Sequence, residues 1–255
     1  MLARLDMKLG AKADEISYQM SSTFHGVLME MVTEDYARQL HESRRHPYTQ
    51  HIERQGSEWH WIVTALDKDT AHYLLQDVLM PVQSITVKRH QLNIEIIGKT
   101  YQEMSEQELS HAFYQEQASR FITIQFVTPT AFKQNGKYVN FPDTRLIYSN
   151  IMKGYDESHT DEKIYDEDTL DQLVENTILS RYELHSAVFS LEGVRIPSFL
   201  GKITLKMTGT QTMANFANML FRFGSYAGIG IKTALGMGAI KIIEERTWNN
   251  AGQAN

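Results

Sequence analysis

The chain has 255 residues, a length suited to two small domains, and its 42% hydrophobic and 22% charged residues are ordinary for a globular protein. It contains no cysteine, which excludes a disulfide scaffold, a thiolate metal site and a cysteine nucleophile. The N-terminus reaches Arg4 and Asp6 before any long apolar run, and no later segment approaches the roughly 20 apolar residues of a membrane span. A cytoplasmic protein without a membrane partner is therefore expected.

The net charge of −6 is unevenly distributed along the chain. Residues 156–175 carry nine carboxylates against Lys163 alone, a local −8 that leaves +2 for the remaining residues. Residues 193–243 contain no Asp or Glu and six cations: Arg195, Lys202, Lys206, Arg222, Lys232 and Lys241. Such a basic region is typical of a localised phosphate-binding surface, although a solvated face has the same composition.

The first half of the chain has the pattern of a strand, helix, strand, strand, helix, strand unit. The predicted elements, in order, are a strand at Met1–Leu9, helical segments at Phe24–Met31 and Tyr36–Leu40, a short strand at 48–55, a strand at Trp59–Leu66, a helix at Asp67–Leu79 and a strand at Ile85–Ile97. This βαββαβ order is that of a ferredoxin-like domain.

The second half of the chain repeats the same order of elements. A capping box at Ser105 and Glu108 predicts a linking helix to about Gln117. The elements that follow are a strand at Phe121–Val127, helices at 143–153 and 168–179 around a solvated acidic loop, strands at Glu183–Leu191 and Phe199–Met207, a helix at Thr212–Phe223 and a strand at Ala239–Ile243. The sequence therefore predicts an α+β fold of two tandem ferredoxin-like (RRM-like) domains, residues 1–118 and 119–255.

The most informative segment is the glycine-rich loop, residues 224–238, which holds five of the 15 glycines. Glycine lets backbone N–H groups approach an anion closely, and several such groups form a nest for phosphate. A dinucleotide-binding motif would follow a strand and open a helix, whereas this loop follows a helix and precedes a strand. The loop is therefore either a phosphate cradle or merely a tight connection between two elements.

Three segments resemble the RAMP superfamily of CRISPR proteins, and within it the endoribonuclease that processes precursor CRISPR RNA. Gly228–Gly238 is similar to the C-terminal glycine-rich signature of the superfamily, Phe126–Phe132 to the segment that opens its second domain, and Tyr36–Glu42 to the region around its catalytic histidine. The resemblance spans nearly the whole chain and implies the same tandem ferredoxin-like fold. It also implies an RNA-binding site, for which we take Arg222, Gly228, Gly230, Lys232, Gly236 and Gly238.

The resemblance implies a metal-independent cleavage in which the RNA 2′-hydroxyl attacks the adjacent phosphate, leaving a 2′,3′-cyclic phosphate and a 5′-hydroxyl. An imidazole suits either proton transfer near neutral pH, and His41 matches the catalytic histidine, although a helix-end histidine favoured by the helix dipole would look the same. The tyrosine and lysine of some relatives have no counterpart, because His25 occupies the helix and no lysine occurs between Lys12 and Lys68. We therefore assign charge stabilisation to Arg44, Arg45 or His46, and a second proton transfer to His25.

Three other functions remain open at this stage. A RAMP subunit that only binds guide RNA in an effector complex would have the same loop but no need of His41. A base-stacking RNA-recognition module would carry an aromatic strand signature that is absent here, and a small-molecule enzyme could use the same fold. The partner expected is CRISPR repeat RNA, with hand-off of the product to a type I or type III complex and a homodimer both open. No cofactor and no metal are expected.

Overall fold

The computed structural model describes residues 1–12, 14–43, 45–114, 117–159 and 163–243, and it has the α+β fold predicted from the sequence. Two antiparallel sheets each bury one face under helices, and the central strands β1 and β6 alternate between buried and partly exposed residues over most of their length. No helix in these ranges is long and apolar enough to cross a membrane.

The first half forms a five-stranded sheet in the order β2-β3-β1-β5-β4. Its elements are β1 (Leu2–Gly10), α1 (Ser21–Met31), α2 (Glu34–Glu42), β2 (Tyr48–Gln55), β3 (Glu58–Ala65), a helical turn α3 (Lys68–Thr70) continued by a π-helix (Ala71–Leu79), β4 (Ser84–Val87) and β5 (Leu92–Met104). Leu5 and Met7 of β1 are fully buried, whereas Arg4 and Lys8 lie on the other face. This is the ferredoxin-like order with β4 added at one edge.

The second half repeats this arrangement in a four-stranded sheet of order β11-β6-β10-β9. Its elements are α4 (Glu106–Tyr114), β6 (Phe121–Thr130), β7 (Phe132–Gln134), β8 (Lys137–Val139), α5 (Thr144–Ser158), α6 (Glu167–Glu175), β9 (Thr177–Leu191), β10 (Val194–Met207), α7 (Gln211–Ala227) and β11 (Ile240–Ile243). The predicted boundary between residues 118 and 119 falls between α4 and β6 and stays a prediction.

The two halves meet where α7 ends against β2 and β3. The carbonyl of Tyr226 accepts hydrogen bonds from the hydroxyls of Thr49 and Thr64, at 3.0 and 2.7 Å. Nearby, Lys241 of β11 reaches the carboxylate of Glu53, which is buried on β2, at 2.6 Å. These contacts fix the C-terminal glycine-rich loop against the first half, and this placement builds the site described below.

Several element predictions were wrong at their ends. The strand predicted at Ile85–Ile97 is two strands, because Gln91 adopts a left-handed conformation (φ 53°) that reverses the chain between β4 and β5. The helix predicted to residue 179 ends at Glu175, and β9 already begins at Thr177. The β7–β8 hairpin was missed, although its turn is Asn135-Gly136, a pair typical of two-residue hairpins.

The acidic segment is more helical than the solvated loop predicted for it. Asp156 and Glu157 belong to the last turn of α5, and the segment's C-terminal half forms α6, capped by Asp166 at the N–H of Thr169. The side chain of Arg145 pairs with Glu167 and Asp171 of α6, which holds α5 and α6 together. Two predicted caps are confirmed: Asp67 accepts from the N–H of Thr70 at 2.7 Å, and the capping box of α4 is formed.

Candidate active site

Three of the histidines singled out in the sequence come together at one end of the first domain. His25 lies on α1, directly after the buried Phe24, and His41 lies in the exposed last turn of α2. His46 follows in the connection to β2, where the ring of Tyr48 stacks against it at 5.6 Å between centroids. The rings of His25 and His46 are 6.3 Å apart. The three histidines therefore form a cluster, although they are spread over 22 positions of the sequence.

His25 is the most constrained imidazole of the cluster. Its Nδ1 lies 3.1 Å from the hydroxyl of Tyr48, and the ring also hydrogen-bonds the backbone of Ala234 in the glycine-rich loop. Burial, helped by the nearby charge of His46, lowers the pKa of His25 to about 4. The ring is therefore neutral at pH 7, and it connects α1, β2 and the loop.

His46 and Arg45 present polar atoms that lack partners inside the described chain. Nδ1 of His46 and Nη2 of Arg45 are buried, and neither has a hydrogen-bond partner there. Burial lowers the pKa of His46, with a further lowering from the charge of His41. Buried polar atoms without hydrogen-bond partners cost free energy, about 1–3 kcal/mol each, so such atoms are typical of sites completed by a ligand.

The guanidinium of Arg45 is held between the two halves of the molecule. Its Nη1 lies 3.5 Å from the carbonyl of Asn150 and 3.7 Å from the carboxylate of Glu157, both on α5. A Cβ at Gly154 would lie 2.6 Å from the guanidinium, so a glycine at this position leaves space for the Arg45 side chain to pack against α5. The second domain therefore orients a residue that belongs to the first.

The glycines of the loop serve close packing of the backbone. A Cβ at Gly230 would lie 2.3 Å from the carbonyl oxygen of Ala131, and one at Gly236 would lie 2.1 Å from Cβ of Ser21. Gly228 and Gly238 also have positive φ (68° and 72°); Gly228 faces the side chain of Thr233, and Gly238 faces the backbone of Ile229. These four glycines let the loop fold tightly between α1 and β6, and three of them are buried: Gly228, Gly236 and Gly238.

Most N–H groups of the loop form hydrogen bonds within the described ranges, but three in succession form none there. The N–H of Gly230 donates to Oδ1 of Asn150 at 2.8 Å, and that of Gly238 donates to the carbonyl of Pro129 at 3.1 Å. Within the described chain, the N–H groups of Lys232, Thr233 and Ala234 have no acceptor. Lys232 is left-handed (φ 58°) and precedes a 3₁₀ turn (Thr233–Leu235), a geometry that aims successive N–H groups together.

His46 of the histidine cluster and the loop line a cavity of about 360 Å³, which neither His25 nor His41 lines. Its walls carry the two cations Arg45 and Lys232, the imidazole of His46 and the carboxylate of Glu157. The remaining wall is the loop itself, from Gly230 to Leu235. This volume is within the range of small-molecule pockets, roughly 300–1,000 Å³. Two cations, an imidazole and the three residues with unbonded N–H groups line one space beside the carboxylate of Glu157, and the cations and N–H groups are suited to a phosphate group.

The structure brings some of the predicted site residues together and separates others. His25, Arg45, His46 and Lys232 lie around the cavity or in contact with the loop, and His41 is close enough for its charge to lower the pKa of both other histidines. Arg222 lies elsewhere, in a depression lined by Ser105, Glu108 and His111 among others. Arg44 lies outside the described residues.

Sequence reasoning missed four residues of this site: Tyr48, Gln50, Asn150 and Glu157. Three of them belong to strands or helices whose pattern looks purely structural, and Glu157 belongs to the acidic segment. No local signal marks them, because each acts across a distance of 23 or more residues in the chain. Within the described ranges, no three His, Asp or Glu side chains are grouped as a metal site would group them.

Comparison with known proteins identifies the family. The family model of the CRISPR-associated endoribonuclease Cas6 matches residues 124–240. The Cas6 endoribonuclease of Streptococcus thermophilus is 33% identical over 92% of this chain and 96% of its own length. That of Mycobacterium tuberculosis is 29% identical over 86% of this chain and 70% of its own length.

Solved structures agree with the fold. A Cas6 product complex superposes with a TM-score of 0.76 over 95% of this chain and 99% of that one, at 20% sequence identity. At this identity the likeness concerns the fold, and it confirms the two tandem ferredoxin-like domains. With a curated relative one-third identical across almost its whole length, the chain belongs to the family of CRISPR-associated endoribonucleases called Cas6.

Proposed function

We propose that this protein is a metal-independent endoribonuclease that cuts CRISPR repeat RNA within the precursor transcript and so releases the individual guide RNAs. The single observation that carries the proposal is the cavity in which Arg45 and His46 of the first domain face Gly230 and Lys232 of the glycine-rich loop. The candidate catalytic region and the candidate RNA-binding loop are about 190 residues apart in sequence, yet they line one space.

The proposed reaction needs three contributions from the protein. A base removes the proton of the 2′-hydroxyl, whose oxygen then forms a bond to the adjacent phosphorus. The bond from phosphorus to the 5′-oxygen breaks, and an acid protonates that oxygen. The charge on the phosphate is stabilised throughout. The products are a 2′,3′-cyclic phosphate and a 5′-hydroxyl, and no atom other than the transferred protons comes from the protein.

The geometry supports a separate role for each residue. His41 is exposed and lies near enough to His25 and His46 to act on them electrostatically, so RNA can reach it, and we assign it a proton transfer. Arg45 and Lys232 are fixed cations at the cavity, suited to stabilising charge on the phosphate. His46 has a buried ring nitrogen without a partner and is the better placed candidate for the second proton transfer. His25 already bonds Tyr48 and Ala234, so we assign it to positioning the loop.

The glycines support RNA binding through the shape of the loop. Because Gly228, Gly230, Gly236 and Gly238 pack against protein atoms, they contribute by fixing the loop rather than by direct contact. The RNA backbone would then bind the N–H groups of residues 232–234 and the side chain of Lys232. Arg222 lies in a separate depression together with Glu108 and His111. Among the RNA-binding assignments, a contact between Arg222 and the RNA is therefore the one that its position supports least. Hand-off to an effector complex and a homodimer stay predictions.

The test is incubation of the protein with repeat RNA in excess EDTA. We expect cleavage at a single position, a cyclic phosphate at the new 3′ end and a 5′-hydroxyl on the other fragment. A substrate with a 2′-deoxynucleotide at the cut site is the control, because it lacks only the nucleophile and should bind without being cut. A strict magnesium requirement, or cleavage of the deoxy substrate, would overturn the mechanism. Binding without any cleavage would favour a non-catalytic RNA-binding subunit.

A further inference from the structure

A buried polar network lies beneath the glycine-rich loop, and its centre is Gln50 of β2. The side chain of Gln50 is fully buried, and both its amide nitrogen and its amide oxygen have hydrogen-bond partners. Its Nε2 donates to the carbonyls of Ser21, at 2.9 Å, and Ala234, at 3.0 Å. Its Oε1 accepts from the indole N–H of Trp61 at 3.0 Å. The indole is only a donor, so it fixes which way the amide faces.

The network joins four elements that meet under the cavity. Ser21 opens α1, Gln50 and Trp61 lie on β2 and β3, and Ala234 belongs to the 3₁₀ turn of the loop. The hydroxyl of Ser21 also accepts from the N–H of Ile52 at 3.0 Å. All of these residues except Ala234 come from the first domain. The first domain therefore holds the 3₁₀ turn in place, although the turn belongs to the loop of the second domain.

Contacts on both sides of the 3₁₀ turn fix its position. The carbonyl of Ala234 faces inward to Gln50, while the N–H groups of Lys232, Thr233 and Ala234 have no acceptor in the described chain. On the C-terminal side, Gly236 packs so closely against Ser21 that no Cβ would fit. A shift of the turn by the width of a methyl group would therefore break the bond to Gln50 and collide with α1.

We infer that Gln50 is a positioning residue for the substrate phosphate, acting through Ala234 to set the direction of the N–H groups at residues 232–234. The inference rests on the proposed function for its consequence in catalysis. Its structural part, that Gln50 holds the loop, can be tested without RNA.

The variant Gln50→Met keeps the length and approximate volume of the side chain but removes both donors. Asn215→Leu is the matched control, because Asn215 is a buried amide with three hydrogen bonds of its own, at the junction of α4 and α7. Amide hydrogen exchange of the peptide covering residues 229–238 is measured by mass spectrometry at a temperature where both variants are folded. We expect exchange in this peptide to rise about tenfold in Gln50→Met, the effect of one lost hydrogen bond. The control should leave it within about twofold of wild type.

The same variants then report on function. Gln50→Met should weaken binding of repeat RNA and, because the released turn carries the Lys232 cation away from its phosphate, reduce the slope of log affinity against log salt by up to about 0.7, the loss of one cation–phosphate contact. Asn215→Leu should leave the slope unchanged. A merely structural loss of stability would not move this slope in folded protein.

Each outcome decides the inference. Loop exchange equal to wild type in Gln50→Met, or an equal rise in the control, would overturn it. If the methionine variant does not fold, Gln50→Asn keeps an amide but shortens the side chain by one methylene, which draws its donors away from Ala234, and a rise in loop exchange is required of it too. If the wild-type protein fails to cut repeat RNA, the proposed function is wrong, but the exchange measurement still shows whether Gln50 holds the loop.

Discussion

Acid should destabilise this protein through His25. The folded chain lowers the pKa of this imidazole to about 4, mainly because the ring is buried, whereas the unfolded chain leaves it near 6.5. Between these pH values the unfolded state binds a proton that the folded state does not. The free energy of unfolding is therefore fully retained above pH 6.5 and decreases as the pH falls toward 4.

The magnitude follows from the difference between the two pKa values. At roughly 1.36 kcal/mol per pKa unit, the loss attributable to His25 between pH 6.5 and pH 4 is about 3 kcal/mol. This is a large part of the 5–15 kcal/mol that typically stabilises a domain, on the order of a fifth to three fifths. The pKa of His46 is lowered in the same direction, so the wild-type protein should lose somewhat more than His25 alone accounts for.

The assay is urea unfolding at a series of pH values from 7.5 to about 4, on the wild type, His25→Gln and the control His72→Gln. Glutamine keeps a polar group near Tyr48 and Ala234 but cannot take up the proton. We expect His25→Gln to lose about 3 kcal/mol less than wild type on acidification. The side chain of His72 is 70% exposed, so its variant should follow the wild-type curve. An unchanged acid loss in His25→Gln, or a His25 pKa near 6.5 by NMR titration, would refute the reasoning.

Four further predictions concern catalysis, binding and the loop. His41→Ala should lower the single-turnover rate on the order of 10²- to 10⁴-fold with RNA affinity nearly intact; a rate within a few-fold of wild type would leave His41 as a helix-end residue. Lys232→Ala should weaken RNA binding and reduce its log-log salt slope by about 0.7 to 0.9, measured by fluorescence anisotropy. Arg45→Met should slow cleavage more than it weakens binding, since the cation stabilises charge that develops in the reaction; an equal loss of both would assign it to binding alone. Gly230→Ala should cost about 1–3 kcal/mol of stability in urea unfolding, because its Cβ would strike the carbonyl of Ala131 at positive φ, whereas Gly136→Ala, also at positive φ but in open space, should cost less.

Local signals in the sequence were sufficient for the βαββαβ order of both halves and for the fold, although they missed the β7–β8 hairpin and the division between β4 and β5. Alternation of period two, helical spacing and the caps at Asp67 and Ser105 depend only on neighbouring residues, and these predictions held. Where the chain reverses without a glycine, as at Gln91, or where a helix runs into a strand, as at Asn176, the element ends were misplaced. In these places tertiary pairing decides the conformation, and propensity carries little information.

The glycine-rich loop shows what a sequence motif can and cannot establish. Its glycine density predicted that the backbone of this segment approaches a neighbouring group closely, and that prediction is confirmed. The sequence could not tell whether the partner was a phosphate or the protein itself. The structure shows that the glycines pack on Ser21, Ala131 and their own loop, and that the unbonded N–H groups belong instead to residues 232–234.

The sequence by itself determined the fold, the family and the short list of histidines, because each of these depends on pattern or on similarity that local residues carry. Only the tertiary structure decided which of these residues share a site. It placed Arg222 apart from the cavity and put His46 and Lys232 in the lining of the same cavity. It also brought Gln50 into hydrogen-bond contact with Ala234, 184 residues away in the chain. The physical reason is that a site is made where two domains pack, and the contacts between them are set by the shapes of both surfaces rather than by the spacing of residues along either one.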